Sequence, residues 1–205
     1  MPHPSSHCKD SRNGLAGVTA GHTSICSLDK TLRYRGYAVT DLLECSFEEV
    51  AYLLLWSDLP TENQLREFAT RLHKSAQSLP KTVVSCFERL AQISPQCSIM
   101  DVLRTGVSIL GQLECDNGPE EMPHQRDLSQ ERFKAEQLLG HVPALLATWI
   151  DCISGRQPTT WPKKPLATAL LEKLCHTQIS DNAANVFTKT LILLSLIHIS
   201  EPTRP

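Results

Sequence analysis

The sequence predicts a mostly α-helical domain with a short β-hairpin near its amino terminus, on three observations. Apolar residues recur at helical spacing through most of residues 47–194. Two of these runs are headed by a hydroxyl residue followed three positions later by Glu or Gln, Ser46 with Glu49 and Thr61 with Gln64. Before them, Thr23 to Ser27 supplies a brief β-favouring run, followed by a second short one at Thr31 to Tyr34. At 205 residues the chain can bury one substantial core, and length alone leaves room for a small second lobe.

In order, Gly14 to Thr23 reads GLAGVTAGHT. Gly17 and Gly21 could suggest a phosphate cradle, but no strand precedes them and no Lys-Ser/Thr follows, so backbone turns are the better reading. Two strands, Thr23 to Ser27 and Thr31 to Tyr34, can pair through a turn at Leu28, Asp29 and Lys30. The stretch Leu32 to Pro60 then passes from extended chain into a helix that begins near Phe47 behind the Ser46 cap and stops at the proline. Val50, Ala51 and Leu53 to Trp56 leave it apolar around most of its circumference, which suits a helix inside a larger helical domain.

The Thr61 cap opens a second helix with Leu65, Phe68, Ala69 and Leu72 on one face, ended by Leu79-Pro80, and a third follows over Lys81 to Ile93. Ser98 can cap a fourth, where Met100, Leu103, Val107 and Leu110 form a stripe. Gly106 in its middle costs stability unless something packs closely there, so a close helix-to-helix approach is expected. Arg104 could hold an anion, but a surface pair with Asp101 is preferred. Glu114 to Gln130 reads as a polar loop. A long helix over Gln130 to Ile153 should kink at Pro143. A loop over Ser154 to Pro165 holds Trp161, and helices over Leu166 to His176 and Asp181 to Leu194 close the series.

Charge and composition exclude several functions. With a formal net charge of -2 and no basic cluster, neither nucleic acid nor an anionic membrane surface is an expected partner. No stretch reaches the roughly 18 apolar residues of a membrane span. The eight cysteines never approach a ligand spacing such as CxxC and read as small core residues in a reducing compartment, which places the protein in the cytoplasm without a metal site. No paired carboxylates and no Ser/His/Asp or Cys/His set stand at catalytic spacing. Cys175 and His176 are adjacent, but helix neighbours point about 100 degrees apart. His22, His73, His124 and His141 have no neighbour that gives them a role.

Five segments carry a resemblance: GLAGVTAGHT (Gly14 to Thr23), YRGY (Tyr34 to Tyr37), SFEEVAYLL (Ser46 to Leu54), LPT (Leu59 to Thr61) and MDVLRTGVSILG (Met100 to Gly111). In this order they resemble the signatures of the amino-terminal half of the citrate synthase family, closest in style to its bacterial 2-methylcitrate synthase branch. The likeness covers about Gly14 to Pro158 and extends more weakly to Leu193. Ser98-Ile99 stand where the family commonly has His-Pro before MDVLRTG.

The resemblance implies a citrate-synthase-like, multi-helical large domain with a small domain beyond it, acting as a homodimer. The regions matching Met100 to Gly111 and Leu138 to Trp149 are implied at the subunit interface, which nominates Met100, Leu103, Arg104, Gly106, Val107 and Leu110. It also implies a Claisen-type condensation of acetyl-CoA or propionyl-CoA with oxaloacetate, needing no bound cofactor. An aspartate base and two histidines are supplied by later segments, starting with a His-x-x-His-Glu-x-Asn motif after the helix resembling Thr188 to Leu193.

Here that helix runs instead into LSLIHISEPTRP. No catalytic, substrate-binding, cofactor or metal residue is therefore assigned, and His198 is not carried over. The expected division is a disordered leader over 1–13, part of the large domain over 14–193 and an adapter-derived tail over 194–205. The chain by itself is expected to be inactive, and its last two helices to expose apolar faces left by missing partners. The competing expectation is a shortened, non-catalytic helical protein that dimerises with a full-length synthase.

Overall fold

Hydroxyl caps set the frame of the helical domain. Ser46 Oγ accepts from Glu49 N at 3.2 Å while Glu49 Oε2 accepts from Ser46 N at 2.7 Å, opening α2 (Phe47–Trp56). Thr61 and Gln64 repeat the arrangement at α3 (Glu62–Gln77). Each box satisfies two backbone donors that a helix start leaves open. The computed structural model describes residues 23–28, 31–114 and 128–196. The expected leader, the Gly17 and Gly21 turns, Asp29 and Lys30, residues 115–127 of the polar loop and residues 197–205 lie outside the described residues.

The extended segment is richer than the expected hairpin. β1 (Cys26–Leu28) and β2 (Leu32–Tyr34) pair antiparallel with Ser27 opposite Arg33, and β3 (Tyr37–Ala38) adds to β2 with Tyr34 opposite Tyr37. Arg35 and Gly36 turn the chain between β2 and β3 with φ of 49° and 91°, a conformation that suits the glycine. A single helical turn, α1 (Val39–Leu42), follows at once. The third strand and this turn are corrections to the sequence reading: two or four residues are too few to show a period.

The other helices are α4 (Lys81–Ile93), α5 (Ile99–Glu114), α6 (Leu128–Ile153), α7 (Leu166–Cys175) and α8 (Asp181–Leu194). α6 is the axis of the domain, with α3, α4, α5 and α7 packed along it. It continues through Pro143 as one helix, held on both sides by the buried His141, Ala144 and Leu145.

Three apolar clusters follow from this arrangement. One joins Tyr52, Phe68, Leu72, Ala147 and Leu170 from α2, α3, α6 and α7 and includes Trp161, which the sequence placed simply in a loop but which is buried. A second seats Tyr34, Val39, Val50 and Leu53 against Ile192 of α8 and Leu196, with the Tyr34 hydroxyl donating to Ile192 O at 3.2 Å. The third is Val83, Phe87, Val102, Leu110, Leu145 and Trp149, where α4, α5 and α6 meet.

A buried carboxylate ties three helices together. Glu136 of α6 accepts from Trp56 Nε1 at 2.9 Å and from Arg71 Nε at 2.7 Å. Glu48 of α2, also buried, accepts from Leu166 N at 2.6 Å and so caps α7 from another element, where Pro165 supplies no side-chain cap.

Candidate functional site

Helix α5 carries the six residues nominated from the sequence, and the structure divides them. Gly106 is buried: a Cβ there would lie 2.9 Å from both Phe87 Cζ and Leu145 Cδ2, so the expected close approach is made by α4 and α6 of the same chain. Leu110 is buried in the same cluster, and Leu103 and Val107 are half-buried against it. Met100 is 66% exposed. Arg104 is exposed and pairs with Asp101 at 2.9 Å, the surface pair preferred from the sequence. The outward part of this region is therefore Met100 and Arg104, and on α6 the exposed Leu138 and Val142.

The structure also gathers a group that sequence spacing did not reveal. Asp151, near the end of α6, lies 3.5 Å from Lys173 Nζ through Oδ2 and 3.5 Å from His176 Nδ1 through Oδ1. Lys173 Nζ donates further to Thr159 O at 2.9 Å and to Thr159 Oγ1. Asp151 precedes Lys173 by more than twenty residues, with a loop between them, so only the packing of α7 on α6 brings them together. Three oxygens surround Lys173, which spends its donors on pinning residues 154–165 to α7. Beside this group a cleft of about 500 Å³ is walled by Arg156, Thr159, Thr160, Glu172 and His176. Lys164 sits 2.6 Å from Glu172 and holds that carboxyl below its ordinary pKa.

A second cleft, of about 520 Å³, opens between α3, the start of α7 and residues 161–165. Its walls are mainly apolar, from Leu65, Ala69, Leu72, Trp161 and Leu166, with His73 among them and Arg66, Lys163 and Lys164 also lining it. Among the described residues no three of His, Cys, Asp and Glu come together as a metal site would require.

The comparisons with known proteins agree with this fold. A family profile described as the C-terminal domain of citrate synthase matches residues 14–195. The 2-methylcitrate synthase 1 of Corynebacterium glutamicum is 41% identical over 150 residues, covering 71% of this chain and 37% of that protein. The 2-methylcitrate synthase 2 of the same organism is 38% identical over 196 residues, covering 90% of this chain and 48% of that protein. The chain thus spans half or less of the length of these relatives. In structure it superposes on a citrate synthase of Thermoplasma acidophilum, solved as a ternary complex with carboxymethyl coenzyme A and oxaloacetate, with a TM-score of 0.74 at 21% identity, over 90% of this chain and 47% of that one. Its helical architecture, its ordered sequence signatures and a profile match covering residues 14–195 lead to one conclusion: the chain belongs to the citrate synthase family.

Proposed function

We propose that the chain is the helical amino-terminal scaffold of an enzyme that condenses an acyl-CoA with oxaloacetate and releases CoA, forming citrate from acetyl-CoA or 2-methylcitrate from propionyl-CoA. The observation that carries this reading is the 41% identity to a 2-methylcitrate synthase. The reaction needs a base to remove a proton α to the thioester and donors to stabilise the enolate and polarise the ketone. Among the described residues, the one group that brings a carboxylate, an amine and an imidazole together is Asp151, Lys173 and His176, and its lysine is engaged in fixing a loop. On this reading the 205-residue chain is inactive by itself, the base and histidines of the reaction lying in the segments that the family resemblance puts after a helix like Thr188 to Leu193.

The same reading has the protein act in the cytoplasm as a homodimer, paired along the outward residues of α5 and α6. No helix among the described residues is long and apolar enough to cross a membrane. The test is release of CoA from acetyl-CoA or propionyl-CoA with oxaloacetate, followed with a thiol reagent. No release is expected from the chain as given, and release is expected from the product of the genomic locus read through a His-x-x-His-Glu-x-Asn segment. Turnover by the 205-residue chain would overturn the inactivity. A locus whose frame closes at Pro205, with a product that co-purifies with a complete synthase, would favour the non-catalytic partner instead.

A further inference from the structure

We infer that Tyr34 is a positioning residue for the condensation: its hydroxyl fixes the end of α8, and with it the direction in which the chain enters the segment that carries the reaction's histidines. This role rests on the functional reading above, in which those histidines follow a helix like Thr188 to Leu193. The last four carbonyls of a helix have no partner within it. At the end of α8 the Tyr34 hydroxyl lies 3.2 Å from Ile192 O and 3.3 Å from Leu193 O and shares its one proton between them.

Packing holds this end at few points. Ile192 is the only buried residue of α8, Leu193 and Leu194 beside it are exposed, and the ion pair of Lys189 with the exposed Glu44 lies a turn earlier. The hydroxyl therefore grips the helix at the backbone of its one anchored residue. Tyr34 is itself held firmly. Its side chain is fully buried, and its strand pairs on both sides, with Cys26 opposite on β1 and Tyr37 opposite on β3. The next residue, Arg35, donates through Nη2 to Leu54 O of α2 at 2.9 Å, which fastens the same corner to a second helix. Burial pushes the Tyr34 hydroxyl above its ordinary pKa of 10.0, so it stays protonated and a donor at neutral pH. Histidines that polarise a ketone or hold an enolate act only from the right place, and a misplacement of about 1 Å can cost roughly a hundredfold in rate.

The test compares Tyr34→Phe with Val39→Ala, which removes packing from the same apolar cluster but no donor. Phenylalanine fills the space of the tyrosine, and circular dichroism is expected to show both variants folded. In the 205-residue chain, hydrogen exchange of the last-turn amides of α8 should quicken about tenfold in Tyr34→Phe, while the amides of α2 keep their rates. In the product of the locus read through the His-x-x-His-Glu-x-Asn segment, Tyr34→Phe should lower kcat for CoA release about tenfold or more and leave the KM for the acyl-CoA within about twofold. Val39→Ala should lower the melting temperature at least as far and, assayed well below its melt, keep kcat within about twofold. An unchanged kcat in folded Tyr34→Phe, an equal loss of kcat in Val39→Ala, or exchange that quickens throughout the chain would each overturn the inference. Absence of turnover in the unmodified product is a distinct result: it overturns the functional reading, and the role of Tyr34 with it, before any variant is compared.

Discussion

At the scale of single residues, three glycines in helices rank themselves by what surrounds them. A Cβ on Gly140 would lie 2.5 Å from Leu72 O and 3.1 Å from Ala76 N, both backbone atoms of α3, so Gly140→Ala must push two helices apart. It is expected to destabilise by about 1–3 kcal/mol or more. At Gly106 the obstacles are the ends of the Phe87 and Leu145 side chains, which can give, so Gly106→Ala costs less. Nothing lies within 4 Å at Gly111, and alanine there should stabilise by about 0.5–1 kcal/mol. Urea titrations of the three variants check the order. Gly106 was legible in the sequence because small residues cluster around it in an apolar stripe. Gly140 was not, since the atoms that forbid a side chain belong to a backbone more than sixty residues away. The cysteines give a second test. Burial, helped by the nearby carboxylates Glu88 and Asp151, pushes the Cys152 thiol up to about 11. Its folded pKa lies above the ordinary 9.0, so its contribution to stability is complete below pH 9 and is lost as pH rises toward 11. At about pH 8 iodoacetamide should modify the exposed Cys175 well before Cys152, read by mass spectrometry of the native protein.

At the scale of elements, what the sequence showed and what it hid separate by range. Both capping boxes and the bounds of α4 were legible because each depends on residues within one helical turn, whereas α2 stops at a left-handed Ser57, three residues before the expected Pro60. β3 and α1 were too short to have a period, and the burial of Trp161 depends on α3 and α7 closing over a loop with no period of its own. The network of Glu136, Arg71 and Trp56 was hidden for the same reason, because it joins α6 to α3 and α2 across 65 and 80 residues. Its worth can be measured against a surface pair in the same helix. Arg71→Ala leaves the 3%-exposed Glu136 carboxylate without its cation, while Trp56 still donates to it. A loss of about 2–4 kcal/mol is expected, reduced from the fully buried case because Arg71 itself is 39% exposed. Arg66→Ala removes the exposed partner of Glu62 and should change stability by less than about 0.5 kcal/mol. Thermal melts of both variants would show whether the carboxylate is the tie between these helices, and equal shifts would argue that it is not.

At the scale of the whole molecule, the apolar surface left uncovered gives the proposed homodimer its candidate faces. The sequence reading expected both of the last two helices to be exposed, and the structure corrects half of this. α7 is packed into the core through Leu166, Ala167, Ala169 and Leu170, because Glu48 caps it and α6 lies along it. α8 does expose Val186, Leu193 and Leu194. Among the described residues, that face and the outward part of α5 and α6 with Met100, Leu138 and Val142 are two candidates. The proposed homodimer uses the second, and substitution distinguishes them. Placing a carboxylate where a partner would desolvate it costs several kcal/mol, enough to disrupt pairing of ordinary strength. Met100→Asp combined with Val142→Asp should sediment as a monomer with unchanged helical circular dichroism, because neither side chain belongs to one of the three apolar clusters of the core. Val186→Asp on α8 should leave the dimer intact. If the unmodified chain is already a monomer in sedimentation equilibrium, or if Val186→Asp alone dissociates it, the pairing does not run through α5 and α6.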